Sequence, residues 1–295
     1  VITVLGSLNM DLVALVDRAP QLGETVSGRE FRTIAGGKGA NQAIAAARAG
    51  ASVAMIGAVG SDAFGDELLT TLERDGIDIA LVRRVPGASG TAHIVVDRVG
   101  QNAIVVIAGA NGTVTTLTEA DRAQIRRSTH LLMQLELPLA VIQEAAAVAR
   151  EAGVQVVLTP APAQPLPPQL LRNVDWLVPN EHEAATLTGQ ADPLTAARTL
   201  LDYVQSVVIT LGAEGCLFVT RAAAEPVRVP AQKVEAVDTT AAGDTFTGAL
   251  ATALAERRPA PEALRWACDA AAIAVTRLGA SPSMPFRSEI ERGLA

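Results

Sequence analysis

Short apolar runs rich in β-branched residues recur at 2–5, 53–59, 130–134, 154–158, 175–178 and 206–211. Each reads as a strand buried on both faces, because no polar alternation marks a solvent side. Between them, Ala- and Leu-rich segments at 39–49, 64–75, 139–151, 193–203 and 243–256 carry apolar positions at helical spacing. Strand and helix alternate. The pattern predicts an α/β fold: a mostly parallel sheet covered by helices on both faces, in three layers.

Two stretches break the rhythm. Residues 12–34 hold Pro20, Gly23 and Gly28 among short alternating segments, and within 90–107 the runs 91–96 and 103–107 flank the polar turn Asp97-Arg98-Val99-Gly100-Gln101 and read as a hairpin. Neither can be a βα unit. A small β layer made of two separate insertions is expected, either covering a site or pairing with another copy. Exclusion of water from a transfer reaction favours the lid. The Pro-rich segment 160–168 reads as a stiff surface loop, and ligands should gather at the carboxyl edge of the sheet.

The chain of 295 residues is 49% hydrophobic and 19% charged, enough apolar material for one large domain over 1–295. Its net charge of -7 argues against nucleic-acid or anionic-membrane partners, which require a basic face. An anionic substrate must then be held by local devices such as helix N-termini, Gly-rich turns or a metal ion. Cys216 and Cys268 lie far apart and outside any CxxC pair, so neither a disulfide framework nor structural zinc is expected. No leader pattern opens the chain, and its apolar runs stop well short of the about 18 residues of a membrane span. A cytoplasmic protein is expected.

The chemistry-bearing segments are few. Asp238-Thr239-Thr240-Ala241-Ala242-Gly243-Asp244 precedes a helical run, and its small residues would let backbone N–H groups approach an anion. Asp244 could take a proton from a substrate hydroxyl attacking phosphorus, or it could only complement the helix dipole. Gly36-Gly37-Lys38-Gly39-Ala40-Asn41-Gln42 lacks the spacing of a Walker phosphate loop. Lys38 and Asn41 instead offer hydrogen bonds to a polyol that the bare glycine backbone lets approach. Asn9 and Asp11 follow the first strand and could add hydroxyl contacts or merely form a turn. Asn180-Glu181-His182-Glu183 could hold Mg²⁺ through water, or could be an Asn-capped helix start. Glu136 is a further acid at a strand end, and 210–215 looks like a tight glycine turn between strands. His93, His130 and His182 show no ligand spacing.

In this order, GSLNMD, AGGKGANQA, NEHEA, ITLGAEG, DTTAAGDTFTGAL and GASPSMP resemble the ribokinase family of carbohydrate kinases over essentially the whole chain. The resemblance implies a ribokinase-like αβα sandwich whose insertions, about 12–34 and 90–107, form a β lid that also makes a homodimer contact. It implies ATP-dependent phosphorylation of a small sugar, D-ribose first, with Asp244 as base and Ala241, Ala242 and Gly243 as the anion hole. Asn9, Asp11, Gly37, Lys38, Asn41 and Glu136 match its sugar contacts. Asn180, together with Thr210, Leu211, Gly212, Ala213, Glu214 and Gly215, matches its nucleotide contacts; Cys268 stands near the adenine, and Glu183 completes a pattern associated with Mg²⁺. Asp238, Thr240, Ala274, Arg277, Gly279 and Ser283 match positions around an activating K⁺, several through backbone carbonyls. Alternatives are a kinase for deoxyribose, a pentitol or a nucleoside on the same scaffold, or a non-catalytic sugar-binding protein. A nicotinamide enzyme is disfavoured because no GxGxxG follows the first strand.

Overall fold

The computed structural model describes residues 1–293. Among these, the strands are β1 Ile2–Leu5, β2 Asn9–Val16, β3 Gly28–Gly36, β4 Val53–Gly60, β5 Asp78–Val85, β6 Gly90–Val96, β7 Asn102–Ile107, β8 His130–Met133, β9 Gln155–Leu158, β10 Trp176–Leu177, β11 Ser206–Thr210, β12 Cys216–Thr220 and β13 Ala223–Val229. The helices are α1 Lys38–Arg48, α2 Ala63–Arg74, α3 Glu119–Arg126, α4 Leu139–Glu151, α5 Pro168–Leu171, α6 Glu181–Thr188, α7 Pro193–Leu200, α8 Ala242–Ala255, α9 Ala260–Ala274 and α10 Arg287–Arg292.

The large sheet runs β13-β12-β11-β10-β9-β8-β1-β4-β5, parallel from β5 to β11 and antiparallel only at β12 and β13. Its two faces are both buried, which explains the unbroken apolar strands. Ile2 and Val4 of β1 pack with Ile44, Leu72, Leu250 and Leu264 from α1, α2, α8 and α9, whereas Leu5 packs with Ile125, Val141, Leu170 and Ala197 from α3, α4, α5 and α7. Each such large aliphatic side chain contributes about 1.5–3 kcal/mol by leaving water. Among the described residues no helix is long and apolar enough to cross a membrane.

The four-stranded sheet β3-β2-β6-β7 is the expected lid, and the hairpin turn falls where the sequence places it. The lid is longer than expected, however: β2 starts at Asn9 and β3 ends at Gly36, outside 12–34. Asn9 and Asp11 are therefore lid-strand residues, and the register sets Asp11 opposite Ile34 and Ala92. β5, with its half-polar burial pattern, is the sheet's edge strand and carried no apolar-run signal. The Pro-rich loop is also less superficial than expected at its start, since Pro160 and Ala161 are buried beside Thr159 at the end of β9.

Candidate active site

β1 and α1 cross at two glycines. A Cβ on Gly39 would lie 2.5 Å from the Gly6 carbonyl carbon and the Ser7 nitrogen. The helix can thus start directly on the strand end, and Ser7 carbonyl accepts the Ala40 N–H at 2.9 Å. Gly37, the residue before α1, has φ 91°, a conformation that favours glycine. This junction turns Lys38 and Asn41 toward the carboxyl edge.

There they meet residues from distant segments. Glu136, after β8, accepts hydrogen bonds from the Ser7 hydroxyl, from the Lys38 backbone N–H at 3.1 Å and from Asn9 Nδ2 at 3.5 Å, and lies 4.0 Å from Lys38 Nζ. Asn9 is steadied by buried Asn111, whose Nδ2 donates to Asn9 Oδ1 at 2.8 Å and to the Leu8 carbonyl. Asp11 sits against Gly36, where a Cβ would come within 2.6 Å of its Oδ2. Burial first, then the charges of Glu136 and Asp244, push the Asp11 carboxyl up to about 7 against the pull of Lys38. Burial would lower the Lys38 ammonium, but Asp244, Glu136, Glu183 and Asp11 outweigh it and hold it above its ordinary value. The expected sugar contacts Asn9, Asp11, Gly37, Lys38, Asn41 and Glu136 thus form one polar cradle.

Asp244 closes the cradle from below. It stands in the first turn of α8, 7% exposed, and accepts from Asn41 Nδ2 at 3.2 Å and from Gln42 Nε2 at 3.0 Å. Burial pushes its carboxyl up to about 6, while Lys38 and the Gln42 and Asn41 amides pull it back down. Ala241, before the helix, has φ 57°, so the chain enters α8 through a left-handed residue. Among the described residues, the N–H groups of Gly243 and Asp244 find no backbone acceptor. A Cβ on Gly243 would meet nothing within 4 Å. No packing requires glycine there; the space belongs to whatever occupies the adjoining cavity.

That cavity, about 190 Å³, is lined by Lys38, Asn180, Glu183, Thr210, Ala241, Ala242, Gly243 and Asp244. Asn180 and Glu183 cap α6 reciprocally: Asn180 Oδ1 accepts the Glu183 N–H and a Glu183 carboxylate oxygen accepts the Asn180 N–H, both at 2.8 Å. The capping reading is therefore realised, and it fixes both side chains at the cavity wall, where among the described residues Asn180 Nδ2 and one Glu183 oxygen have no partner. Burial raises the Glu183 carboxyl. Beyond lies a second cavity of about 520 Å³, lined by Thr210, Gly212, Ala213, Gly215, Lys233, Val234, Phe246 and Cys268. Gly215 has φ 94°, and a Cβ there would strike the Val229 carbonyl oxygen at 2.0 Å, so the turn between β11 and β12 must be bare. Leu211 and Glu214 shape this turn, the Leu211 N–H donating to the Gly215 carbonyl and the Glu214 N–H to the Leu211 carbonyl, and do not line the cavity. Cys268 does line it, with its sulfur 3.8 Å from that of Cys216. The two cysteines, remote in sequence, are thus neighbours as free thiols.

Before the start of α8, Asp238 Oδ1 accepts from the Thr240 N–H and hydroxyl, at 2.9 and 2.6 Å, and Oδ2 from the Gly279 N–H at 2.9 Å. Burial opposes these bonds, but they hold the Asp238 carboxyl below its usual range. Ala274 accepts the Arg277 N–H, the Ser283 hydroxyl donates to the Ala280 carbonyl, and the Arg277 guanidinium turns away to Glu289. The loop 237–240 is tied to this segment through the Val275 carbonyl.

A buried carboxylate between a polar cradle and helix N-terminal amides without a backbone acceptor is suited to phosphoryl transfer onto a hydroxyl. Residues 1–287 match the family described as pfkB family carbohydrate kinase. The chain belongs to the pfkB family of carbohydrate kinases. It is 43% identical to a Schizosaccharomyces pombe protein named ribokinase over 98% of this chain and 96% of that one. Identity to the Haemophilus influenzae ribokinase is 44%, with the same coverage. The solved structure of Arabidopsis thaliana ribokinase complexed with ribose and ATP superimposes with a TM-score of 0.93, at 33% identity, over 99% of this chain and 97% of that one.

Several residues of the site escaped the sequence reading. Ser7 and Gln42 lay inside motifs already singled out, and Gln134 and Thr159 at strand ends, where a polar residue after an apolar run is the signal. Asn111 gave none, because its partners are about a hundred residues away. Lys233 had a compositional signal: it and Lys38 are the chain's only lysines, and both line the site.

Proposed function

We propose that this carbohydrate kinase transfers the γ-phosphoryl group of ATP to the 5-hydroxyl of D-ribose, giving ribose 5-phosphate and ADP. The observation that carries this reading is the buried Asp244 carboxylate, held at the meeting point of the polar cradle and the cavity under the α8 amides. Asp244 accepts the hydroxyl proton, the hydroxyl oxygen bonds to the γ-phosphorus, and the bond to the ADP oxygen breaks. The amides of Gly243 and Asp244 and the Lys38 ammonium face the charge that develops on the transferring group. The cradle, rich in charged and amide groups and free of aromatic rings, suits a small fully hydroxylated sugar.

Glu183 and Asn180, polar and partly unused at the wall of the phosphate cavity, fit an Mg²⁺ held through water, which would neutralise nucleotide phosphates. A K⁺ beside the loop before α8, where Asp238 accepts from Thr240 and from the Gly279 N–H and the Val275 carbonyl ties 237–238 to the segment holding Ala274, Arg277 and Ser283, would stabilise that loop by its charge. The test is ADP release with ATP and Mg²⁺ across ribose, deoxyribose, fructose, ribitol and adenosine, each with K⁺ or Na⁺ as sole monovalent cation. Turnover strongest on ribose and raised by K⁺ is expected. Preference for another acceptor would overturn the sugar assignment, and no turnover at all would favour a binding protein.

The lid supports a homodimer. Cross-strand register puts Asp11, Val13, Leu15, Ile94, Ile104 and Val106 on one face, and Ile104 and Val106 are each 52% exposed at the free edge strand β7. An apolar edge of this kind needs a cover. Ile104→Asp with Val106→Asp is expected to yield a monomer in sedimentation equilibrium. A wild-type monomer at micromolar concentration would refute the dimer.

A further inference from the structure

Gln42 lies one residue beyond the cradle, fully buried, and lines neither of the two cavities described above. Its Nε2 donates to Asp244 Oδ1 at 3.0 Å and to Thr159 Oγ1 at 3.1 Å, and its Oε1 accepts Gln134 Nε2 at 2.7 Å. The direction of every bond follows from the end of the chain. The Gly243 carbonyl can only accept, so the Thr247 hydroxyl donates to it, at 2.9 Å. Thr159, 3.4 Å from Thr247, gives its single proton there and must accept from Gln42. The Gln42 amide nitrogen therefore faces Thr159 and Asp244, and Gln134 secures the opposite side by donating to the oxygen. A flipped Gln42 amide would set its oxygen against the Asp244 carboxylate and the accepting Thr159 oxygen.

Asn41 is different. Among the described residues its Oδ1 is buried without a partner, as is Gln134 Oε1, so Asp244 alone fixes the Asn41 amide, whereas Gln42 has three partners. One Asp244 oxygen is thus gripped from the core and the other is held loosely from the sugar side.

We propose that Gln42, oriented by Thr159 and held by Gln134, is the positioning residue of the base: it holds Asp244 Oδ1 so that Oδ2, beside Asn41, is the oxygen that takes the sugar's proton. This rests on the reading of Asp244 as base. Because the Gln42 bond favours the ionised carboxylate, it also sets the pH at which the base becomes available. The other charged groups acting on Asp244 are Lys38, Glu136 and Asp11, none of which Gln42 touches.

Gln42→Met keeps the side-chain length and removes the donor. The acid limb of kcat/KM for ribose is expected to move up by about one pH unit, with kcat above that limb falling roughly tenfold. Gln134→Met, which leaves Gln42 in place but unlocked, should shift the limb the same way by less. An Asp244 Cγ titration followed by carbon-13 NMR in the ligand-free enzyme should move with it. An unmoved limb and titration in folded Gln42→Met would overturn the proposal; should that variant not fold, Gln134→Met decides in its place. If wild-type protein phosphorylates no sugar, the base reading fails, yet the NMR titration still decides whether Gln42 governs Asp244.

Discussion

Asp244→Asn should lower kcat by about 10²–10⁴-fold while leaving ribose and ATP affinity close to wild type. The amide has the carboxylate's shape but cannot accept the hydroxyl proton. The surrounding structure accommodates it. Gln42 still donates to the remaining oxygen, and the Asn41 amide can turn its unpartnered Oδ1 toward the new N–H₂. The exchange leaves no more buried groups without a partner than before, Asn41 Nδ2 taking the place of its Oδ1, so the melting temperature should change little. Calorimetric titration of ribose and a steady-state assay separate the two effects. Wild-type turnover in this variant would remove Asp244 from the mechanism and leave the α8 dipole as its only role.

Gly39→Ala is expected to damage both fold and activity. The new methyl would meet the backbone of Gly6 and Ser7 at 2.5–2.6 Å, and a backbone cannot rotate away as a side chain can. Relief requires α1 to lift from β1. The cost in stability should be about 1–3 kcal/mol, as for overpacking elsewhere. The larger effect is on geometry, because α1 carries Lys38, Asn41 and Gln42, whereas Glu136 and Asp11 stay with other elements. A shift of about 1 Å is enough to reduce kcat/KM roughly 10²-fold. Gly112→Ala, where the nearest atom is the Ala108 Cβ at 3.5 Å, serves as the control. Urea unfolding and kcat/KM for both variants check the prediction. Equal behaviour of the two would show that the Gly6–Gly39 crossing does not set the site.

The same crossing shows how local pattern and tertiary contact divide the information. Gly37, Lys38, Gly39 and Asn41 stood out because a glycine-rich turn before a helical run has few structural uses. The spacing already excluded a Walker loop and left a polyol cradle as the reading of its glycines, lysine and asparagine. The capping box of Asn180 and Glu183 was equally legible as a helix start and as metal chemistry, and it is built as the first at a position suited to the second.

By itself the sequence determined the layer architecture, because strands buried on both faces must be continuously apolar and the helices that cover them must be amphipathic. It also marked the two lid insertions and the small-residue loop before Asp244, since each breaks a local periodicity. Tertiary structure alone decided the strand order, the extension of the lid to Asn9 and Gly36, and the approach of Cys216 to Cys268. It alone joined Ser7 to Glu136, Asn9 to Asn111 and Gln42 to Gln134. The physical reason is range. Periodicity and turn chemistry act over a few residues, whereas a hydrogen bond between segments a hundred residues apart depends on which strands become neighbours, and that is settled by packing of the whole core.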